Sequence, residues 1–206
     1  MRVVKEAEER KNEILDVAQE LFASKGFDHT STNDILEKVG IARGTLYYHF
    51  KSKEEILDSL IERMTGDLMA NASRIANDKS LPLLARFTLS IKALNVDTSI
   101  GNEVMEQVHK PQNALMHQKM QDMLLSGICP IISELVREGN NEGLFNVEFP
   151  EEMVAMTMLY ANVAFDSRID EPEEVTMRKM MAFVTNVEKL LGCKKGLMQE
   201  AIMKMF

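Results

Sequence analysis

Residues 26–53 read GFDHTSTNDILEKVGIARGTLYYHFKSK, and this stretch decides the fold. Apolar spacing predicts a short helix over Asp34 to Val39, closed by a tight Gly40-Ile41-Ala42 turn. A second short helix follows and carries Arg43, Thr45, Tyr47, Tyr48 and His49 with no acid on it. The pattern is that of a helix-turn-helix whose second helix suits the surface of nucleic acid.

At about 100° per residue, Ala42, Leu46 and Phe50 share one arc of the second helix, which is expected to face the core. Arg43, Gly44, Thr45, Tyr47 and Tyr48 fill the remaining arc, with His49 on its flank. Arg43 can donate bidentately to a guanine edge, and Thr45 can meet a base edge or a thymine methyl. Gly44 lacks a side chain, so the backbone can approach the groove closely. Tyr47, Tyr48 and His49 can reach phosphate oxygens while their rings pack on sugars.

The flanking residues extend this unit. Ser31 and Asp34 form a possible capping pair, leaving Thr30, Ser31 and Thr32 at a helix N-terminus, where hydroxyls and free N–H groups suit a phosphate. Upstream, Ile14, Val17, Ala18, Leu21 and Phe22 predict a supporting helix over 9–24, ended by Gly26 as its C-cap. Downstream, Ser52-Lys53-Glu54-Glu55 reads as a capping box. It opens a long helix with Ile56, Leu57, Leu60, Ile61, Met64 and Leu68 inward, and it places Lys53 beside a duplex backbone.

The L-F-x-x-K-G-F end of the first helix, the T-x-x-D-I-L-x-x-x-G-I segment and the R-G-T-L-Y-Y-H-F helix resemble the DNA-binding domain of TetR/AcrR (tetracycline-repressor-like) regulators. The match covers about residues 9–60, a quarter of the chain. The resemblance implies an all-α homodimer, usually a repressor released from a palindromic DNA operator by a small-molecule effector. It implies DNA contacts at Ser31, Thr32, Arg43, Thr45, Tyr47, Tyr48, His49 and Lys53. Ala42 departs from the Ser or Thr common in the family, a lost cap that typically costs about 1 kcal/mol.

Two domains are expected: a three-helix helix-turn-helix DNA-binding domain over 1–53 and a helical ligand-binding and dimerisation domain over 54–206. The net charge of −8 supports the division. Residues 1–53 carry nine Lys/Arg and nine Asp/Glu, whereas 54–206 carry 15 basic and 23 acidic residues. Acid is thus kept off the reading head, which disfavours the wrong face on DNA. No apolar run approaches 18 residues and Met1 to Arg10 is charged, so neither signal peptide nor membrane span is expected. The cysteines Cys129 and Cys193 suit a reducing cytoplasm. Lys194 and Lys195 can lower the Cys193 pKa and make it a redox sensor; the other reading is a bystander thiol.

Beyond residue 64 the chain is rich in methionine and poor in motifs. Helices are expected near 81–97, 103–110, 112–139, 151–168 and 173–191, with Pro130 kinking the third. Rossmann, P-loop, nucleophile-elbow and zinc-protease motifs are absent from the sequence, so no enzyme, cofactor or metal is expected. Met105, Met116, Met123, Met156 and Met158 either shape an adaptable ligand cavity or fill a helical core.

If residues 102–120 form one continuous helix, Glu106, His109, Asn113 and His117 make a polar stripe bordering Met105, Val108, Leu115 and Met116. The stripe reads either as a ligand-orienting set or as a solvated edge. The two histidines stand about 12 Å apart along such a helix, too far to share a metal ion. Two further helices carry apolar stripes: Met153, Met156, Leu159, Tyr160, Val163 and Ala164, then Val175, Met180, Met181, Val184, Val187, Leu190 and Leu191. They can pack within one subunit or form a four-helix interface between two, which the resemblance favours. The alternative to a DNA-binding regulator is an interaction module that keeps the fold but no longer reads DNA.

Overall fold

The computed structural model describes residues 7–94, 110–165 and 171–203, with side chains through 201. Among them, regular structure is helical: α1 Ala7–Lys25, α2 Thr32–Val39, α3 Arg43–His49, α4 Lys53–Asn77 and α5 Leu83–Lys92 come first. A 3₁₀ turn at Pro111–Asn113 leads into α6 Ala114–Asn141, followed by α7 Pro150–Ala164, α8 Glu173–Leu191 and α9 Leu197–Met203. The chain divides into two compact units, Met1–Gly66 with Val96–Met123, and Asp67–Asn95 with Leu124–Phe206. The divisions therefore fall inside α4 and α6.

The first unit is built on α1. Its residues Ile14, Leu15, Ala18, Leu21 and Phe22 are buried, as are Ile35 of α2, Leu46 of α3 and Ile56, Leu57, Leu60 and Ile61 of α4. Phe27 packs edge-on against Phe22, with ring centroids 5.2 Å apart. Gly26 ends α1 with φ +86°, and a Cβ there would sit 2.9 Å from the Gln112 side chain. Both the backbone conformation and the space demand glycine. Gly40 closes α2 at φ +73°, its N–H donating to the Leu36 carbonyl. This left-handed residue turns the chain from α2 into α3.

Ala42 differs from its expected place on the buried arc. It is exposed because it is the N-cap of α3, with extended backbone (φ −72°, ψ 150°), so helical phase does not apply to it. Ser52 caps α4 through the Glu55 N–H at 3.1 Å. The returning Glu55 carboxylate accepts from the Lys51 N–H, one residue earlier than a standard capping box.

The continuous helix considered over 102–120 does not form. Lys110 is extended and Pro111 opens the 3₁₀ turn, as expected where proline disfavours the helical region for its predecessor. Glu106 and His109, like Met105 and all but the last residue of the helix expected over 103–110, lie outside the described residues. Asn113 and His117 are buried, with His117 Nε2 3.3 Å from the Gln121 amide nitrogen. Met116 and Met120 are buried beside them in sequence, and Met123 sulfur accepts from the Thr65 hydroxyl at 3.2 Å.

The second unit buries Ala72 and Ala76 of α4, Leu83 and Phe87 of α5 and Ile128, Ile132, Leu135 and Val136 of α6. Met153 and Val154 of α7, Val184 and Leu191 of α8 and Met198 of α9 complete the cluster. Helix α6 runs through Pro130. After it, the Asn140 side chain clamps Val147, donating to its carbonyl at 2.8 Å and accepting its N–H at 2.9 Å. Helix α9 was not expected from the sequence. Glu188 holds its start by accepting the N–H groups of Gly196 at 3.0 Å, Met198 at 2.9 Å and Gln199 at 3.2 Å.

Candidate functional site

The site begins where α2 begins. Ser31 is its extended N-cap, and a reciprocal capping box joins it to Asp34. The Asp34 N–H reaches Ser31 Oγ at 3.1 Å, and the Ser31 N–H reaches the Asp34 carboxylate at 2.7 Å. Lys25 adds an ion pair at 2.9 Å. Donation from Ser31 and then Lys25 holds the Asp34 carboxyl well below the usual carboxylate range.

Capping consumes hydroxyls that the sequence offered to a phosphate. Thr30 is buried, its hydroxyl donating to the Gly26 carbonyl at 2.8 Å, so it takes no part in an outer surface. The Ser31 hydroxyl is itself directed at Asp34, 2.5 Å away. Thr32 is half-buried and interacts with Tyr47 of α3.

On α3, Leu46 is buried and anchors the helix, while Arg43, Gly44, Tyr47 and Tyr48 are exposed. Arg43 lies over the Tyr47 ring, 5.5 Å from its centroid. Hydrogen bonding with Arg43, and then with Thr32, pushes the Tyr47 phenol below its ordinary value. Tyr48 is 78% exposed and meets His49 edge-on at 5.0 Å. A Cβ on Gly44 would meet open space. Thr45 and His49 are half-buried.

Lys53 stands in the first turn of α4, as expected, and its ammonium already has partners within the protein. Its ammonium donates to the Phe27 carbonyl at 2.7 Å and lies 4.1 Å from the Phe27 ring centroid. That contact bridges the start of α4 to the end of α1, a connection the sequence did not announce. The remaining surface of α3 carries a cation, three aromatic rings and no acid. It can donate to base edges and phosphates without like-charge repulsion.

The second unit contains a cavity of about 340 Å³. Its lining comes from α5 (Phe87, Thr88, Ile91, Lys92), α6 (Ile132) and α7 (Met153, Val154, Thr157, Met158, Ala161), followed by Phe165. Helix α8 adds Met180, Phe183, Val184, Val187 and Leu191, and α9 adds Met198. The candidate ligand residues expected from the sequence are those of the polar stripe, Glu106, His109, Asn113 and His117. Asn113 and His117, its described members, do not line this cavity. The missed signal was α7, which is apolar on two faces and so requires two apolar neighbours.

Of the methionines singled out from sequence, Met158 lines the cavity, Met116 is core and Met156 is exposed. Cys193 is not activated by its neighbouring lysines. Burial, and then the Glu188 carboxylate, push its thiol pKa up. Burial does the same to Cys129.

Among the described residues, no group of three His, Cys, Asp or Glu side chains is placed to hold a metal, and no helix is long and apolar enough to cross a membrane.

The family model described as "Bacterial regulatory proteins, tetR family" matches residues 14–60. A second, "Tetracyclin repressor-like, C-terminal domain", matches residues 95–186. The fatty acid metabolism regulator protein of Bacillus subtilis (strain 168) is 31% identical over 139 residues, 64% of this chain and 68% of that protein. The HTH-type transcriptional repressor KstR2 of Rhodococcus jostii is 36% identical over 93 residues, 44% of this chain. The match spans 46% of that repressor, less than half of its length.

Two solved structures share the fold. A tetR-family regulatory protein from Rhodococcus RHA1 aligns over 93% of this chain and all of its own, at 17% identity and a TM-score of 0.55. A tetR-family regulator from Mesorhizobium loti aligns over 91% of this chain and 98% of its own, at 15% identity and a TM-score of 0.59. These relatives are regulators rather than enzymes. With a capped α2, an acid-free α3 and both family models in register along the sequence, the chain belongs to the TetR family of DNA-binding transcriptional regulators.

Proposed function

We propose that the protein is a homodimeric repressor that binds a palindromic DNA operator and is released by a small-molecule effector. The observation that carries this reading is the exposed, acid-free face of α3. In this reading Arg43 and Thr45 read base edges, Gly44 admits the backbone to the groove, Tyr47, Tyr48, His49 and Thr32 contact the DNA backbone, and Ser31 and Lys53 exchange their contacts with Asp34 and Phe27 for phosphate oxygens. Residues 1–53 act as the reading head and 54–206 as the effector and dimerisation region.

Dimerisation is supported by exposed apolar side chains on two adjacent helices. Met156, Leu159, Tyr160 and Val163 of α7, with Met177, Met181 and Leu190 of α8, are exposed. The four α7 side chains share one face of that helix, and an exposed apolar face of this kind marks an interaction surface. Two copies joined there present two α3 helices to half-sites about one helical turn of DNA apart.

The 340 Å³ cavity is the effector site in this reading, in preference to the stripe of Glu106, His109, Asn113 and His117. Its α5 wall has a route outward: the buried Ser90 hydroxyl donates to the Ala72 carbonyl of α4 at 3.2 Å. A ligand that prefers one setting of α5 would move α4, which carries residues of both units, and change half-site spacing.

Purified protein should enrich a palindrome from genomic fragments at near-physiological salt. Arg43→Ala should lower specific affinity by about 1–3 kcal/mol. No enrichment even at low salt would sink the operator reading and favour an interaction module that no longer reads DNA.

A further inference from the structure

The cavity's hydrogen-bonding accounts restrict what can occupy it. Among the described lining residues, three side chains bear a nitrogen or hydroxyl: Thr88, Lys92 and Thr157. The Thr88 hydroxyl donates to the Leu84 carbonyl at 2.8 Å. The Thr157 hydroxyl donates to the Met153 carbonyl at 2.9 Å. Each proton is committed to its own helix, but each hydroxyl oxygen retains acceptor capacity. Lys92, the ionisable member of the set, is itself exposed rather than enclosed.

We infer that the cavity takes an uncharged, mainly apolar molecule about two rings in size, bearing a single hydroxyl or N–H that donates to Thr88 or Thr157. A carboxylate seated at either threonine would need donors that their hydroxyls have already committed, away from the exposed Lys92, and a buried unpaired charge is costly. Size follows from comparison: an apolar cavity of about 150 Å³ accommodates benzene, and this one is 340 Å³. Met153, Met158, Met180 and Met198 give the walls flexible, polarisable side chains that fit around a rigid ring system. Phe183 continues the ring contacts outward, meeting Phe165 edge-on at 5.6 Å and stacking on Tyr160 at 5.7 Å.

The inference rests on the reading of this cavity as the effector site, so ligand binding and operator release are measured separately. Purified full-length protein is loaded with N-phenylnaphthylamine, an uncharged fluorescent probe, and titrated without DNA with naphthol, naphthalene and naphthoate at neutral pH. Naphthol should displace the probe at a concentration roughly five times lower than naphthalene, the value of one hydrogen bond, and at least about tenfold lower than naphthoate. Thr88→Val or Thr157→Val should bring naphthol down to the naphthalene level. Folded Ala161→Phe should weaken probe and naphthol alike by filling the cavity.

Naphthoate competing as well as naphthol would overturn the inference. So would a naphthol preference that survives both threonine variants, which test the point even if Ala161→Phe fails to fold. Naphthol binding that leaves operator affinity unchanged would uphold the ligand class and remove the effector reading instead.

Discussion

Arg86, 3% exposed, meets the Glu138 carboxylate through both terminal guanidinium nitrogens, with Nη1 2.9 Å from Oε2. The same Nη1 donates to the Ala76 carbonyl at 3.0 Å, and Nε donates to the Leu81 carbonyl at 3.3 Å. One guanidinium thus ties α5 to the end of α4, to the loop after it and to α6. Lys79 also pairs with Glu138, but from an exposed position. Glu138→Ala should cost about 3 kcal/mol because it strands a buried cation. Lys79→Ala should cost less than about 1 kcal/mol. Urea unfolding that gives the two variants equal losses would refute this ordering.

The same pair sets an acid limit on stability. Donation from Arg86, then from Lys79, holds Glu138 at about 2 against an ordinary 4.5. The folded value is the lower one, so the stabilisation is complete above about pH 4.5 and is lost as pH falls towards 2. Thermal unfolding of wild type should therefore decline more steeply than that of Glu138→Gln across this window. Parallel declines would show that Glu138 titrates normally.

Glu188 makes a second acid-sensitive device. Burial alone would raise its pKa, but the N–H groups of Gly196, Gln199 and Met198 outweigh burial and the net shift is downward. Glu188→Ala should release α9, and with it the Met198 wall of the cavity. Hydrogen exchange at Met198 and Gln199 should accelerate without change in α1–α3; unchanged protection would deny Glu188 this role. Because burial and Glu188 also raise the Cys193 thiol, alkylation of Cys193 at neutral pH should run slower than that of an unfolded cysteine. Faster alkylation would restore it as a redox sensor.

Much of the first unit was legible because its signals are local. The Ser31–Asp34 capping box, Gly26, Gly40 and the Leu46–Phe50 spacing act within a few residues of themselves. Ala42 misled because a helical wheel was extended past the cap. The contact of Lys53 with Phe27 was not legible because it spans 26 residues and leaves no mark in either segment. In the second unit α9 escaped notice for the same reason: its start is held by Glu188, whose partners lie 8 to 11 residues away. The cavity was invisible because it draws on five helices, none of which is polar enough to advertise a site.

Gly44 separates DNA reading from folding. A Cβ there meets open space, so Gly44→Ala should raise stability by up to about 1 kcal/mol through helix propensity. Operator affinity should nevertheless fall, since in the proposed reading the added methyl stands where the backbone approaches the groove. Tyr47→Phe keeps the ring beneath Arg43 and removes the hydroxyl, so its loss of affinity should be smaller than that of Arg43→Ala. A Gly44→Ala protein that binds the operator as well as wild type would move the contact surface off this part of α3.

The exposed face of α7 and α8 allows a test of assembly that leaves the fold alone. Val163 is 64% exposed and Met181 60% exposed, so neither contributes to the core of its own subunit. A charge at an exposed site usually changes stability by less than about 0.5 kcal/mol. Across a two-fold interface the same charge is buried in each copy and lacks a partner, a cost of several kcal/mol per dimer. Val163→Glu combined with Met181→Glu should therefore leave helix content intact and convert a dimer into a monomer in sedimentation. Operator affinity should drop with it, because a monomer engages one half-site and loses the effective-concentration advantage of the second. A double variant that stays dimeric, or a wild type that sediments as a monomer, would place the assembly surface elsewhere.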